Sequence, residues 1–335
     1  MTTYLVLVAL HFLTLLRNSK ILILFSFILL YLVMGFRDPS LGTDAQNYEN
    51  TFYFISQGVD VRLEPFWIFL NKTVYYFGGE YSDVIWVSAL LMLIPIYSAC
   101  LLVNQRYFLF SIFLFLTLYY YFYGFNIIRQ GIGMSWGLLF LTIRSTQIKK
   151  SSIKSWIALF IGIGFHFSTI SILLFLLLKF VFQKVQFFFL IQLATAVFGI
   201  FFSNLLLSLF GSLFYSKYSD FEGGNLFGNL LYLIVINVGF GFITTINKIK
   251  NEWYYYMCTF IVISNLFIRI PFGNRFIMLF GIVQILFFPL LLENNSLRRR
   301  DRGILLFCII VYSIFTFSRL IGAGEIVPYL GIFEL

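Results

Sequence analysis

The chain has 335 residues, of which 60% are hydrophobic, 21% aromatic and only 11% charged; Phe alone occurs 45 times and the mean hydropathy is +0.92. A water-soluble chain carries about 25% charged residues, so this composition excludes a soluble domain, and with it disorder, coiled coil, collagen and disulfide scaffolds. The weak alternation along the sequence excludes an outer-membrane barrel, which leaves an integral membrane helix bundle.

In chain order the apolar runs are 4–16, 21–36, 84–103, 107–124, 125–143, 153–165, 168–183, 187–210, 227–247, 253–270, 274–292 and 303–318. Read as one span each, they predict an all-α fold: a polytopic membrane helix bundle of about 12 transmembrane helices in a single transmembrane domain over 1–335. At about 20 residues per crossing, roughly twelve spans leave fewer than about 100 residues for all loops, so chemistry must sit on helix ends and short loops. The first run has neither a basic n-region nor a small-residue cleavage site and reads as a retained helix whose start faces outside. Two outward segments exceed a tight turn. The first, 37–83, contains RDPSLGTDAQNYEN and then LEPFWIFLNKTVYYFGG, whose apolar part of about 14 residues is too short to cross and suits a re-entrant or interfacial outer-surface helix. The second, 211–228, reads GSLFYSKYSDFEGGNLFG, a composition that fits a loop over a cavity mouth or an interfacial aromatic belt.

The net charge of +9, from 23 Lys and Arg against 14 Asp and Glu, would point to nucleic acid in a soluble protein. In a membrane protein it reports topology, and no nucleic acid partner is expected. Counting loops alternately places Arg17, Lys20, Arg106, Arg144, Lys149, Lys150, Lys154, Lys179, Lys184, Lys248, Lys250, Arg298, Arg299, Arg300 and Arg302 on one side. Basic residues accumulate on cytoplasmic loops, so that side is cytoplasmic and both termini are predicted outside. The other side receives Arg37, Arg62, Lys72, Arg129, Lys217, Arg269, Arg275 and Arg319, with 11 of the 14 acids. Cys100, Cys258 and Cys308 lie in apolar runs without metal-ligand spacing and read as buried hydrophobes. No metal or cofactor is expected.

The eight outward basic residues violate the bias that places the other fifteen. Arginine offers a planar fork of donors matched to phosphate oxygens, so an outward Arg cluster suits an anionic headgroup or pyrophosphate; ion pairing with nearby acids is the alternative. Arg129, in FNIIRQGIGMSWG, is the strongest case, because a charge inside a span costs about 2.5 to 3.5 kcal/mol and usually faces a cavity or the bundle interior. Asn126, Arg129, Gln130, Gly133 and Gly137 share one helical face, and the glycines there let another helix or a ligand approach. His166, in GFHFS, is a candidate general base or phosphate donor, whereas His11 has no polar neighbours in sequence and reads as structural. Arg269 and Arg275 flank the turn RIPFGNR, and Asn265 shares a face with Arg269. Asp44 follows Gly42, and Glu64 precedes Pro65. Either carboxylate fits a base, a sugar ligand, a helix cap or an ion-pair partner of Arg37 or Arg62.

The order of these motifs carries more than each alone. Gly42, Thr43, Asp44 and Tyr48 (GTDxxxY), Glu64-Pro65, Ile128-Arg129-Gln130, His166-Phe167-Ser168, the basic turn at Arg275 and a closing Val327-Pro328-Tyr329 together resemble the EpsG family, which is similar in role to Wzy-type polymerases of O-antigen, capsule and exopolysaccharide. The resemblance implies a GT-C-like fold in the bacterial inner membrane. It also implies a polymerase that joins polyprenyl-pyrophosphate-linked oligosaccharide repeat units at the outer face, partnered by the bilayer and by a chain-length regulator. On that reading Arg129 and Arg275 hold pyrophosphate with Arg269 and Arg37 assisting. His166 leads as base, Asp44 and Glu64 shape the acceptor site, and Gln130 and Tyr48 line the substrate site. No nucleotide sugar is needed, in keeping with the lack of a Gly-rich phosphate loop in the sequence. A flippase for the same lipid-linked oligosaccharide, which would distribute charge through the membrane depth, and an O-antigen ligase or acyltransferase are the competing readings. A purely structural partner would not need buried arginine.

Overall fold

The computed structural model describes residues 1–15, 19–103, 105–146, 153–184, 188–202, 205, 226–246, 251–270, 273–294, 297–322 and 325–331. Helices occupy nearly all of them. They are α1 (Thr2–Thr14), α2 (Lys20–Gly35), α3 (Ala45–Ser56), α4 (Pro65–Tyr76), α5 (Tyr81–Val103), α6 (Phe108–Thr117), α7 (Tyr120–Asn126), α8 (Ile128–Thr146) and α9 (Ile153–Phe165). A 3-10 turn (Phe167–Ile172) leads into α10 (Leu173–Lys184), followed by α11 (Phe188–Phe201), α12 (Leu226–Ile246), α13 (Glu252–Phe267), α14 (Gly273–Gly281), α15 (Gln284–Glu293) and α16 (Arg299–Leu320). No strand occurs among the described residues; the one extended pairing is an isolated antiparallel bridge between Arg37 and Gly331.

Among the described residues four stretches are long and apolar enough to cross a membrane: Tyr81–Val103, Phe167–Lys184, Gly273–Glu293 and Arg299–Leu320. A fifth is present if α6 and α7, bent by 49°, form one broken span. The shorter apolar helices α1, α2, α9, α11 and 230–244 of α12 occupy further apolar runs. Large apolar side chains face outward on these helices, among them Ile21, Leu24, Phe160, Phe180 and Phe307, each at least 60% exposed. An apolar exterior of this extent suits lipid as the surrounding solvent.

Three local features differ from the sequence reading. The stretch after Gly42, read as loop, forms α3, with Tyr48, Phe52 and Ile55 buried at helical spacing. The run 107–124 is not one helix, because Tyr119 adopts a left-handed φ of 73° and divides α6 from α7. His11 does have polar neighbours. Its Nε2 lies 2.8 Å from Ser26 Oγ, and Ser26 Oγ lies 2.7 Å from Tyr97 Oη, a buried chain that ties α1, α2 and α5 together. His11 Nδ1 lies 2.8 Å from the Leu7 carbonyl, which can only accept, so Nδ1 carries the hydrogen there. Of the loop read at 211–228, residues 211–225 lie outside the described residues and 226–228 begin α12; Arg17, Lys149, Lys150, Lys217, Lys248 and Lys250 also lie outside them.

The chain divides into two compact units. The first comprises Met1–Ser171, Phe288–Leu290 and Leu306–Leu335. In it α5 packs against α2 and α8, α8 packs against α9, and α4 rests on α3, α5 and α9. The second comprises Ile172–Phe287 and Leu291–Leu305, with α13 against α10, α11 and α14. An amide network holds this unit together. Asn237 Nδ2 donates to Asn265 Oδ1 at 2.7 Å, Asn265 Nδ2 reaches the Gln192 carbonyl at 3.0 Å, and Gln192 Nε2 reaches the Asn237 carbonyl at 3.0 Å. Satisfying these groups internally matters where no water can replace a partner.

Candidate active site

The site is assembled by close approach of α8 and α9. A Cβ on Gly133 would meet the Gly162 carbonyl and the His166 Cβ at 3.2 Å each, and one on Gly162 would meet Gly133 O at 3.1 Å and Thr169 Cγ2 at 2.9 Å. These two glycines let the helix backbones nearly touch. Arg129 lies one turn before Gly133, and His166 one turn after Gly162 with its N–H on the Gly162 carbonyl at 2.9 Å, so the crossing brings the two side chains to one place. The third member comes from α4. Pro65 opens that helix with its fixed φ. The next residue, Phe66, docks on Gly164, where a Cβ would lie only 2.6 Å from Phe66 Cγ, and its ring sits 5.9 Å from that of Phe165. Glu64, at the N-cap position, is thereby delivered beside Arg129 and His166.

Glu64 does not cap its own helix. One carboxylate oxygen is ion-paired with Arg129 Nη1, and the other accepts from His166 Nδ1 at 2.8 Å. The Glu64 side chain is 7% exposed, whereas those of Arg129 and His166 are 23% exposed. The carboxylate is therefore the buried support, and its two partners are the reachable groups. Burial by itself would raise the Glu64 pKa, but the His166 hydrogen bond and the Arg129 charge outweigh it and hold the carboxyl at about 2. Because an ionised carboxylate only accepts, His166 Nδ1 carries the hydrogen of that bond, and in the Nδ1–H tautomer the lone pair lies on Nε2. Arg129 also lies 5.7 Å from the centre of the Tyr48 ring, and Tyr48 packs edge-on against fully buried Trp67 at 5.3 Å.

The GTD segment is bound to the same corner through Asn126. Its Oδ1 accepts from Thr43 Oγ1 at 2.7 Å and from the Asp44 N–H at 2.9 Å. Gly42 has φ +111° and comes within 3.2 Å, measured from a Cβ position, of the Phe125 carbonyl, so a side chain is excluded twice over. Asp44 is half-buried at the N-cap position of α3 but makes no side-chain cap. Asn126 closes α7, and the non-helical Ile127 separates it from α8, so it does not share a helical face with Arg129 as the sequence suggested; its part in fixing the GTD segment had no local signal.

The other sequence candidates are distributed as follows. Gln130 is buried at 4% exposure. Arg37 is buried in the first unit, donating from Nη2 to the Phe125 carbonyl at 2.9 Å, and is paired with neither Asp44 nor Glu64; Glu64 pairs with Arg129 and not with Arg37 or Arg62. Arg269 and Arg275 belong to the second unit, where Arg269 Nη1 donates to the Ile200 carbonyl at 2.7 Å and Arg275 is exposed in the first turn of α14. No group of three His, Cys, Asp or Glu poised for a metal occurs among the described residues.

A family model described as the EpsG family matches residues 20–330. The chain belongs to the EpsG family. The matched region contains every residue of the site: in this EpsG-family chain Asp44, Tyr48, Glu64, Arg129 and His166 are all inside it. No curated protein and no solved structure matches the chain.

Proposed function

We propose that this EpsG-family chain is a membrane glycosyltransferase that polymerises polyprenyl-pyrophosphate-linked oligosaccharide repeat units at the outer face of a bacterial inner membrane. Its apolar runs form about twelve spans in one transmembrane domain with both termini outside, and GTD, Glu64, Arg129 and His166 lie on the outer side. The observation that carries the reading is the Glu64–Arg129–His166 cluster, which joins a reachable base and a reachable guanidinium through one buried carboxylate.

In the reaction a hydroxyl of one repeat unit attacks the anomeric carbon of the growing chain. His166 Nε2 takes the hydroxyl proton as the new C–O bond forms. The bond from the anomeric carbon to the pyrophosphate oxygen breaks, and its electron pair leaves with polyprenyl pyrophosphate. The Arg129 side chain is 23% exposed and carries the reachable positive charge of the cluster, which supports its stabilising the charge that grows on that oxygen. Glu64 is a positioning residue, since both its oxygens are engaged and its low pKa makes it a weak base. Asp44, Tyr48 and Gln130 line the acceptor side.

The test is to incubate the purified protein with lipid-linked repeat unit and no nucleotide sugar. A ladder of chain lengths is expected; its absence, with transbilayer movement of the lipid instead, would favour a flippase. Arg129→Ala and His166→Ala should each leave single repeat units on their lipid, and a normal ladder from either would remove that residue from the mechanism.

A further inference from the structure

Arg37 is a buried cation that the proposed chemistry leaves without a partner. The residue is 5% exposed; Nη2 donates to the Phe125 carbonyl and the guanidinium sits 4.5 Å over the Phe125 ring. Nε and Nη1 have no hydrogen-bond partner among the described residues, and the ion pairs present there engage other cations. Arginines near a membrane usually snorkel to water, but this one is fastened in place. Its backbone bridges to Gly331, and the adjoining Asp38 N–H donates to the Leu330 carbonyl at 2.8 Å. The Val327-Pro328-Tyr329 segment is itself anchored, by Tyr329 Oη to the Val33 carbonyl at 3.2 Å and by Tyr4 Oη to the Ile326 carbonyl at 2.7 Å. An unpaired charge held in this way costs several kcal/mol.

Beside Arg37 lies a cavity of about 10 Å³ whose walls include Met34, Ile85, Met92, Ile128 and Ser88. Ser88 Oγ is buried and also lacks a hydrogen-bond partner among the described residues. Arg37 and Ser88 are the polar side chains among the lining residues, and no carboxylate is among them. Such a volume holds about one small species and is too small for a phosphate or a sugar. We propose that the cavity binds a single halide-sized anion, held by Arg37 and Ser88, which neutralises the buried guanidinium.

The experiment compares thermal unfolding of the full-length protein in detergent, followed by tryptophan fluorescence, in sodium bromide or chloride against sodium gluconate at matched ionic strength. The expected result is a saturable, halide-specific rise in the wild-type midpoint. Ser88→Ala should raise the half-saturating bromide concentration about tenfold, as for loss of one hydrogen bond to a charged group. Arg37→Met should abolish the halide response, and should that variant not fold, the Ser88→Ala titration decides. A wild-type midpoint indifferent to halide would mean that water fills the cavity and overturns the proposal. An unchanged half-saturation in Ser88→Ala, or a wild-type response in folded Arg37→Met, overturns it equally.

Discussion

Replacing Glu64 by Gln retains the shape of the side chain and removes its charge. In the native protein the carboxyl pKa falls from its ordinary 4.5 to about 2, which corresponds to roughly 3 kcal/mol of stabilisation of the carboxylate at about 1.4 kcal/mol per pKa unit. The folded pKa is depressed, so this contribution is fully present above about pH 4.5 and is lost as pH falls toward 2. Glu64→Gln should therefore lower stability at neutral pH by a few kcal/mol and flatten the acid limb of the stability curve between those values. The loss of function should be larger than the loss of stability implies. An amide presents one acceptor and one donor group, so it cannot accept from Arg129 and His166 with two equivalent oxygens as the carboxylate does. With the base no longer oriented, turnover should drop by about 10²-fold or more, with a smaller change in KM. The assays are midpoint against pH in detergent and ladder formation from lipid-linked repeat unit at a temperature where both proteins are folded. Turnover within about twofold of wild type would refute the positioning role, and an unaltered acid limb would refute the assignment of the low pKa.

Three further outcomes follow from the packing. Gly162→Ala puts a methyl 2.9 Å from Thr169 Cγ2 and 3.1 Å from the Gly133 carbonyl; it should cost about 1–3 kcal/mol by overpacking and separate His166 from Glu64, read as a lower midpoint with loss of ladder. Ser26→Ala strands His11 Nε2 and Tyr97 Oη inside the first unit, so the midpoint should fall by the equivalent of about 1–3 kcal/mol while turnover of the folded fraction is retained. Asn126→Ala releases both Thr43 and the Asp44 amide; we expect a loss of about 1–2 kcal/mol and a rise in KM larger than the change in kcat, measured by varying repeat-unit concentration.

The elements were legible where one physical signal dominated. Apolar runs coincide with helices because a membrane chain must satisfy its backbone internally, and Arg129 stood out because a charge there is costly. The pairing of Glu64 with Arg129 and His166 was not legible. It depends on the Gly133–Gly162 approach and on Phe66 filling the space beside Gly164, both contacts between segments distant in sequence. For the same reason Arg37 and Arg62 were the reasonable nearby partners for Glu64 and neither is used. The break at Tyr119 was hidden because its φ of 73° is adopted by a residue without the usual preference for that conformation. α3 had a signal, the Tyr48, Phe52 and Ile55 spacing, masked by the polar residues around it.

The seven-residue α7 bears on how the protein tolerates change. At its end the Phe125 carbonyl receives Arg37 and the Asn126 amide receives the GTD segment, and Arg129 follows three residues later. A single inserted or deleted residue inside a helix turns everything beyond it by about 100° and shifts it by about 1.5 Å. Between Tyr119 and Arg129 the chain therefore behaves as a ruler whose length is fixed, and most of the side chains along it are buried as well.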